Sequence, residues 1–88
     1  MQSKTQIILN KLEELFAKKI DPFIFSIDFP SIVYNFYFEL EEEHKGLGDY
    51  LDQVTNAICD EGEPGFDPTH MIEELKKVYQ KVLEFIEN

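Results

Sequence analysis

Arginine is missing from this 88-residue sequence, and seven of its eight lysines lie in the two end segments. The stretch from Ile20 to Leu75 contains fourteen Asp and Glu residues and a single base, Lys45. Such a surface repels phosphate groups, so we expect no direct binding to nucleic acid or to anionic membranes. The formal net charge of −10 favours a basic partner, because a field of one sign speeds the capture of the opposite charge.

Cysteines and long apolar runs are also scarce. The single cysteine, Cys59, cannot form an internal disulfide, which predicts a reducing compartment. No apolar run is long enough for a signal peptide or a membrane span, so we expect a cytoplasmic protein. A hydrophobic fraction of 43% is sufficient for folding, and the length predicts one domain over residues 1–88.

The first predicted helix covers residues 5–19. Its apolar residues recur at steps of three and four, the period of an amphipathic helix. They are Ile8, Leu12, Leu15 and Phe16. Asp21 followed by Pro22 predicts the start of the second helix, because Asp accepts hydrogen bonds from unpaired backbone N–H groups and Pro suits the first helical position.

Proline 30 complicates the second helix. A proline disfavours a helical conformation for the preceding residue and lacks an N–H group. We therefore expect a short helix over residues 22–28, a kink or split near Pro30, and a longer helix over residues 30–44. Apolar side chains cover most of the circumference of the longer helix, which is typical of a buried, central helix. The alternative places Tyr34 and Phe38 partly at a partner surface.

Two further helices are predicted, over residues 49–60 and 68–87, both with apolar residues at helical steps. Asp49 and Asp52 lie in the first turn of the former, where the helix dipole favours negative charge. No segment shows the alternation of a strand. The sequence therefore predicts an all-α fold, a four-helix bundle whose second helix is kinked or split near Pro30.

Catalytic and metal-binding motifs are weak. His44 and His70 lie at predicted helix ends without a second ligand at a suitable spacing, and Cys59 is best explained as a small apolar residue. A calcium loop starting at Asp60 would have glycine and proline where oxygen ligands are required. We expect no enzyme activity, no catalytic residues, no metal and no cofactor.

Acidic residues concentrate at the end of the second helix and in the turn before the last helix. The first cluster is Glu39, Glu41, Glu42 and Glu43, and the second is Asp60, Glu61, Glu63 and Asp67. A solvated face that keeps the protein soluble is the simplest explanation. The first cluster, however, lies where the helix dipole disfavours negative charge, which suggests a functional reason. We therefore predict that carboxylates imitate phosphates and bind a basic cleft, with Tyr34, Glu39, Glu42 and Glu43 among the partner-binding residues.

Residues 16–26, Phe-Ala-Lys-Lys-Ile-Asp-Pro-Phe-Ile-Phe-Ser, resemble the first interhelical turn of the colicin D-type immunity proteins, a family that includes immunity proteins of contact-dependent inhibition systems. The resemblance rests on a Lys-Ile turn followed by a Phe-Ser pair, and it resumes over residues 57–67. Members are small helical bundles that block a tRNA-cleaving toxin domain with acidic residues. The resemblance implies this role for Asp60 and Glu63, with Glu61 and Asp67 beside them.

These observations together predict an immunity protein that occludes the basic cleft of a ribonuclease toxin domain. One alternative is an acidic inhibitor of another nucleic-acid-binding protein, such as a phage anti-restriction factor. A second is an acidic scaffold or carrier, although carriers need an Asp-Ser-Leu sequence that this chain lacks. Homodimerisation is left open.

Overall fold

The computed structural model describes residues 3–59 and 68–87, and every regular element in these two ranges is an α-helix. The five helices are α1 (Lys4–Phe16), α2 (Pro22–Asn35), α3 (Tyr37–Glu43), α4 (Leu47–Cys59) and α5 (Pro68–Glu87). The all-α prediction is therefore confirmed, whereas the count of four helices is not. None of the described helices combines the length and the apolar character needed to cross a membrane.

Two helix starts follow directly from local sequence. The Ser3 side chain accepts a hydrogen bond from the Gln6 backbone N–H at the start of α1. The Asp21 carboxylate accepts from the N–H groups of Phe23 and Ile24, with Pro22 at the first position of α2. Each side chain satisfies N–H groups that have no partner within the helix, as the Asp-Pro signal predicts.

The first helix ends three residues earlier than predicted. Lys18 adopts a positive φ of 62°, which a helix cannot continue through. The backbone N–H groups of Ala17, Lys18 and Lys19 still donate to carbonyls of the last helical turn. These hydrogen bonds close the end of α1 and let the chain turn toward Asp21.

The interruption predicted at Pro30 lies instead at Phe36. Helix α2 continues through Pro30 to Asn35, and the chain leaves helical geometry at Phe36, where ψ is 7°. A proline inside a helix costs about 3 kcal/mol. Buried Phe25 and Phe29 precede it and buried Val33 follows it, and each contributes about 1.5–3 kcal/mol through burial. Packing on both sides of Pro30 therefore outweighs the local cost.

Phe36 separates α2 from α3 without leaving its own backbone groups unpaired. Its N–H donates to the Ile32 carbonyl, and its carbonyl accepts from the Leu40 N–H. The Lys4 ammonium lies 4.7 Å from the centre of the Phe36 ring, which brings the start of α1 against the break. The break between α2 and α3 thus lies next to the start of α1.

The hydrophobic core is formed by buried side chains from all five helices. Its central members are Ile8, Leu12, Leu15, Phe29, Leu40, Leu47, Leu51, Met71, Leu75 and Val82. Phe25 stacks on Phe29 with ring centres 4.6 Å apart, so the inner face of α2 is strongly anchored. The last helix has the predicted bounds, and it buries Met71, Leu75, Val78 and Val82, whereas Ile86 near its end is 42% exposed.

The interpretation of the longer predicted helix, over residues 30–44, as a buried, central helix is wrong, because Tyr34 is 76% exposed and Phe38 is 77% exposed. In the preceding stretch, Phe23, Ile24 and Ile27 are each more than half exposed as well. The stretch from Pro22 to Glu43 packs one face on the core and presents the other to solvent. A second apolar face is what an interaction surface needs.

Candidate functional site

A groove opens between the α2–α3 junction and the start of α4. Tyr34 and Asn35 at the end of α2, and Tyr37 and Phe38 at the start of α3, line it on one side; Asp49 and Asp52 of α4 line the other. Its volume is about 490 Å³. We call this feature the aromatic–acidic groove. The break at Phe36 matters because residues from both sides of it line the same groove.

Close packing of α3 on α4 brings the two walls together. Gly48 is buried at this contact, and a Cβ atom there would lie 2.8 Å from the Tyr37 carbonyl oxygen. The Glu41 carboxylate accepts hydrogen bonds from the backbone N–H of Gly46, at 3.1 Å, and of Asp49, at 3.0 Å. Glu41 thus caps the start of α4 and fixes the backbone of Asp49 beside the groove.

The Asp49 carboxylate is held by a tyrosine. The Tyr37 hydroxyl donates a hydrogen bond to Asp49 Oδ1. This hydrogen bond is the main cause that raises the pKa of Tyr37 to about 12, followed by burial and by the negative charges of Asp49, Glu41 and Asp52. The phenol therefore stays protonated at physiological pH and orients Asp49. The carboxylates of Asp49, Glu41 and Asp52 all lie near this hydroxyl and add to the effect.

The aromatic wall is open to solvent. Tyr37 and Phe38 meet edge to face with ring centres 5.5 Å apart, while Tyr34 and Phe38 keep about three quarters of their surface exposed. An exposed ring next to carboxylates offers both an apolar surface and an attractive face for a cation. The groove is therefore suited to a positively charged group with an apolar stem.

No described lysine neutralises the groove. The ion pairs within residues 3–59 and 68–87 join Lys11 to Glu14, at 4.0 Å, and Lys77 to Glu74, at 3.2 Å. Asp52 accepts one long hydrogen bond, at 3.4 Å, from the Asn56 amide. The negative charge of Asp49 and Asp52 remains directed at solvent.

The structure divides the predicted partner-binding residues into three groups. Tyr34 lines the groove, and Glu39 and Glu42 are exposed on α3. Glu43 is only partly exposed, and its carboxylate accepts from the backbone N–H groups of Lys4 and Thr5 and from the Thr5 hydroxyl. The predictions for Asp60, Glu61, Glu63 and Asp67 lie outside the described residues.

The argument that every acid of the first cluster lies at an unfavourable helix end is wrong for three of them. Glu39 lies in the first turn of α3, where the helix dipole favours negative charge. Glu43 caps the start of α1, and Glu41 caps the start of α4. A carboxylate near the positive end of a helix dipole is stabilising. A structural reason therefore accounts for Glu41 and Glu43, and Glu39 and Glu42 remain as the exposed acids of this helix.

Sequence reasoning missed Tyr37, Asp49 and Asp52 as groove residues. Asp49 and Asp52 are three residues apart and therefore share one face of α4, a signal that is visible in the sequence. Their position at the start of a helix had a sufficient local explanation in the helix dipole. Only the packing of α3 on α4 places them opposite the aromatic residues.

The described residues contain no group of three or more His, Cys, Asp or Glu side chains arranged to hold a metal ion. Cys59 is buried at the end of α4. The described part of the site offers carboxylates and exposed aromatic rings, both of which attract cations.

Comparison with known proteins gives no relative: no family model matches the chain, and neither a curated protein nor a solved structure is significantly similar to it. The resemblance of residues 16–26 and 57–67 to the colicin D-type immunity proteins stays a prediction.

Proposed function

We propose that this protein is an inhibitor of the immunity type, which binds a basic, tRNA-cleaving toxin domain and blocks its substrate cleft. The observation that carries the proposal is the aromatic–acidic groove, in which Asp49 and Asp52 face exposed aromatic rings and no described lysine pairs with them. A cleft that binds phosphates with basic side chains presents the complementary surface.

Electrostatics supports fast capture of such a partner. The formal net charge of −10 attracts a basic domain over several ångströms, and the groove adds a local concentration of negative charge. Steered association of this kind reaches roughly 10⁸ M⁻¹s⁻¹ or more at low salt. Exposed Glu39 and Glu42 on α3 extend the negative surface beside the groove.

The exposed face of α2 supplies the apolar part of the proposed interface. Phe23, Ile27 and Tyr34 share one side of the helix, since they are separated by four and seven residues, and Ile24 lies next to them. This row leads toward Tyr34 and therefore into the groove. Apolar contacts hold a complex together after charge has steered it, because they mainly slow dissociation.

The test uses the candidate toxin, a basic domain that the proposed function predicts to be encoded next to the gene for this protein; the absence of any such gene would itself contradict the proposal. The two proteins are co-expressed in bacteria, and growth and tRNA integrity are measured with the original inhibitor and with the Asp49→Asn, Asp52→Asn double variant. We expect protection with the original protein. The double variant should bind at least about a hundredfold more weakly, since close charge pairs couple by about 1.5–7 kcal/mol each.

A matched control removes the same number of negative charges outside the groove. Glu73 and Glu87 are exposed on α5, which does not line the groove, and the Glu73→Gln, Glu87→Gln variant loses two negative charges. This control should retain tight binding and lose only some association rate. Equal weakening by both double variants would contradict a role for the groove, and failure of the original protein to protect would contradict the immunity function.

A further inference from the structure

We infer that the aromatic–acidic groove selects an arginine side chain of its partner over a lysine side chain. This inference rests on the proposed function, because it names the chemical group that the proposed interface recognises. It combines three features of the groove: two carboxylates on one helix face, an oriented carboxylate, and exposed aromatic rings.

The spacing of the carboxylates favours a group with several donors. Asp49 and Asp52 are separated by three residues on α4, so their Cβ atoms lie roughly 5–6 Å apart. A guanidinium group carries five N–H donors on a rigid plane and can donate to two carboxylates at once. An ammonium group is a compact, strongly hydrated charge whose three donors diverge from one nitrogen, so it spans less of the distance between the two carboxylates.

Orientation adds directional selectivity. The Tyr37 hydroxyl donates to Asp49 Oδ1, and the Asp49 backbone N–H donates to Glu41 at 3.0 Å. One oxygen of the Asp49 carboxylate is therefore hydrogen-bonded to Tyr37, and no described residue donates to the other oxygen. A carboxylate positioned in this way favours the planar fork of a guanidinium over a single ammonium.

The aromatic rings favour the same group. Tyr34 and Phe38 line the groove with about three quarters of their surface exposed. A guanidinium plane stacks on an aromatic ring while its edge keeps its hydrogen bonds, which an ammonium group cannot do. The groove volume of about 490 Å³ leaves room for the apolar stem of the arginine as well.

The test compares two capped pentapeptides of equal charge, glycine peptides with either two arginines or two lysines. Binding is followed by two-dimensional NMR of the labelled protein and by calorimetry. We expect the arginine peptide to bind about threefold to tenfold more tightly, with the largest shifts at groove residues. Equal affinity for both peptides, or shifts confined to other surfaces, would overturn the inference.

Two variants distinguish selectivity for arginine from a general attraction to positive charge. Phe38→Ala should remove most of the preference for arginine and weaken the lysine peptide less, because the stacking of the guanidinium plane is lost while lysine loses only its weaker attraction to the ring. Asp49→Asn with Asp52→Asn should weaken both peptides, and the Glu73→Gln, Glu87→Gln control should affect both only slightly. Loss of arginine preference in the control would also count against the inference.

The outcome is independent of the toxin experiment. If the protein protects cells from the toxin but binds both peptides equally, the proposed function stands and the inference of arginine selectivity is contradicted. If the protein prefers the arginine peptide but fails to protect cells, the arginine selectivity stands and the immunity function is contradicted.

Discussion

At the scale of single residues, Glu43 joins two distant parts of the chain. Its carboxylate accepts from the backbone N–H groups of Lys4, at 2.9 Å, and Thr5, at 2.8 Å, across almost 40 residues of sequence. These N–H groups have no partner inside α1. One acidic side chain at the end of α3 thus fixes the start of α1, while Ser3 satisfies the N–H of Gln6.

We predict that Glu43→Gln lowers the free energy of unfolding by about 0.5–2 kcal/mol at neutral pH, the range typical of a lost helix cap. Partial burial raises the pKa of Glu43, but the hydrogen bonds from Thr5 and Lys4 and the nearby His44 together hold it below the ordinary value of 4.5. Because folding lowers the pKa of Glu43, the charged carboxylate stabilises the folded protein fully above pH 4.5, the ordinary value. This contribution is lost as the pH falls through the lowered pKa.

Urea denaturation of both proteins between about pH 3 and pH 7 measures this difference. The difference in the free energy of unfolding between the two proteins should be largest at neutral pH. It should disappear as the pH falls through the pKa of Glu43. A gap that is constant over this range would show that Glu43 acts through packing and not through its charge. Glu42→Gln is the control, since the Glu42 side chain is exposed next to it.

At the scale of elements, the contact between α3 and α4 shapes the groove. Gly48 lies in the first turn of α4, where any side chain would meet the Tyr37 carbonyl oxygen and the Glu41 side chain. The backbone of α3 cannot move away without releasing buried Leu40 from the core. The close approach therefore depends on the absence of a Cβ atom at position 48.

Gly48→Ala should destabilise the protein by about 1–3 kcal/mol, as overpacking does in a filled interior. This sign is opposite to the usual gain of about 0.5–1 kcal/mol when alanine replaces glycine within a helix. Gln53→Ala, at an exposed position of the same helix, provides the control and should be nearly neutral. Chemical denaturation measures both, and a Gly48→Ala protein of unchanged or higher stability would show that the two helices are free to separate.

At the scale of the whole molecule, many negative charges lie close together because the protein is small. The Cα atoms span 36 × 22 × 21 Å, and the chain carries eighteen acidic residues against eight lysines. Most carboxylates therefore lie within a few Debye lengths of each other, since this length is about 10 Å at 0.1 M salt. Self-repulsion of this kind destabilises the folded state.

Added salt should therefore stabilise the protein on its own and weaken its complex. Raising NaCl from about 20 mM to about 300 mM should increase the midpoint of thermal unfolding by several degrees, because screening reduces the repulsion between carboxylates. The same change should slow association with a basic partner. Calorimetry measures the first effect and stopped-flow mixing the second. A melting midpoint that falls with salt would contradict the role of self-repulsion.

Local signals predicted several elements because their causes are local. The Asp21-Pro22 start of α2 depends on capping, and the bounds of α5 follow its apolar period, and short windows of sequence contain both signals. The break at Phe36 depends on competition between the cost of Pro30 and the burial of residues on either side of it. A short sequence window contains the proline, but it does not contain the distant core residues whose packing keeps the helix intact around it.

The sequence by itself determined that this protein is helical, strongly acidic and poor in bases along its middle, because composition and periodicity are properties of the chain. Only the tertiary structure decided which acids cap helices and which lie at the aromatic–acidic groove. Glu41 and Glu43 reach helix starts elsewhere, whereas Asp49 and Asp52 stay open opposite Tyr34 and Phe38. The physical reason is that a carboxylate acquires its role from the donors that packing brings within hydrogen-bond distance, and these donors are far away in sequence.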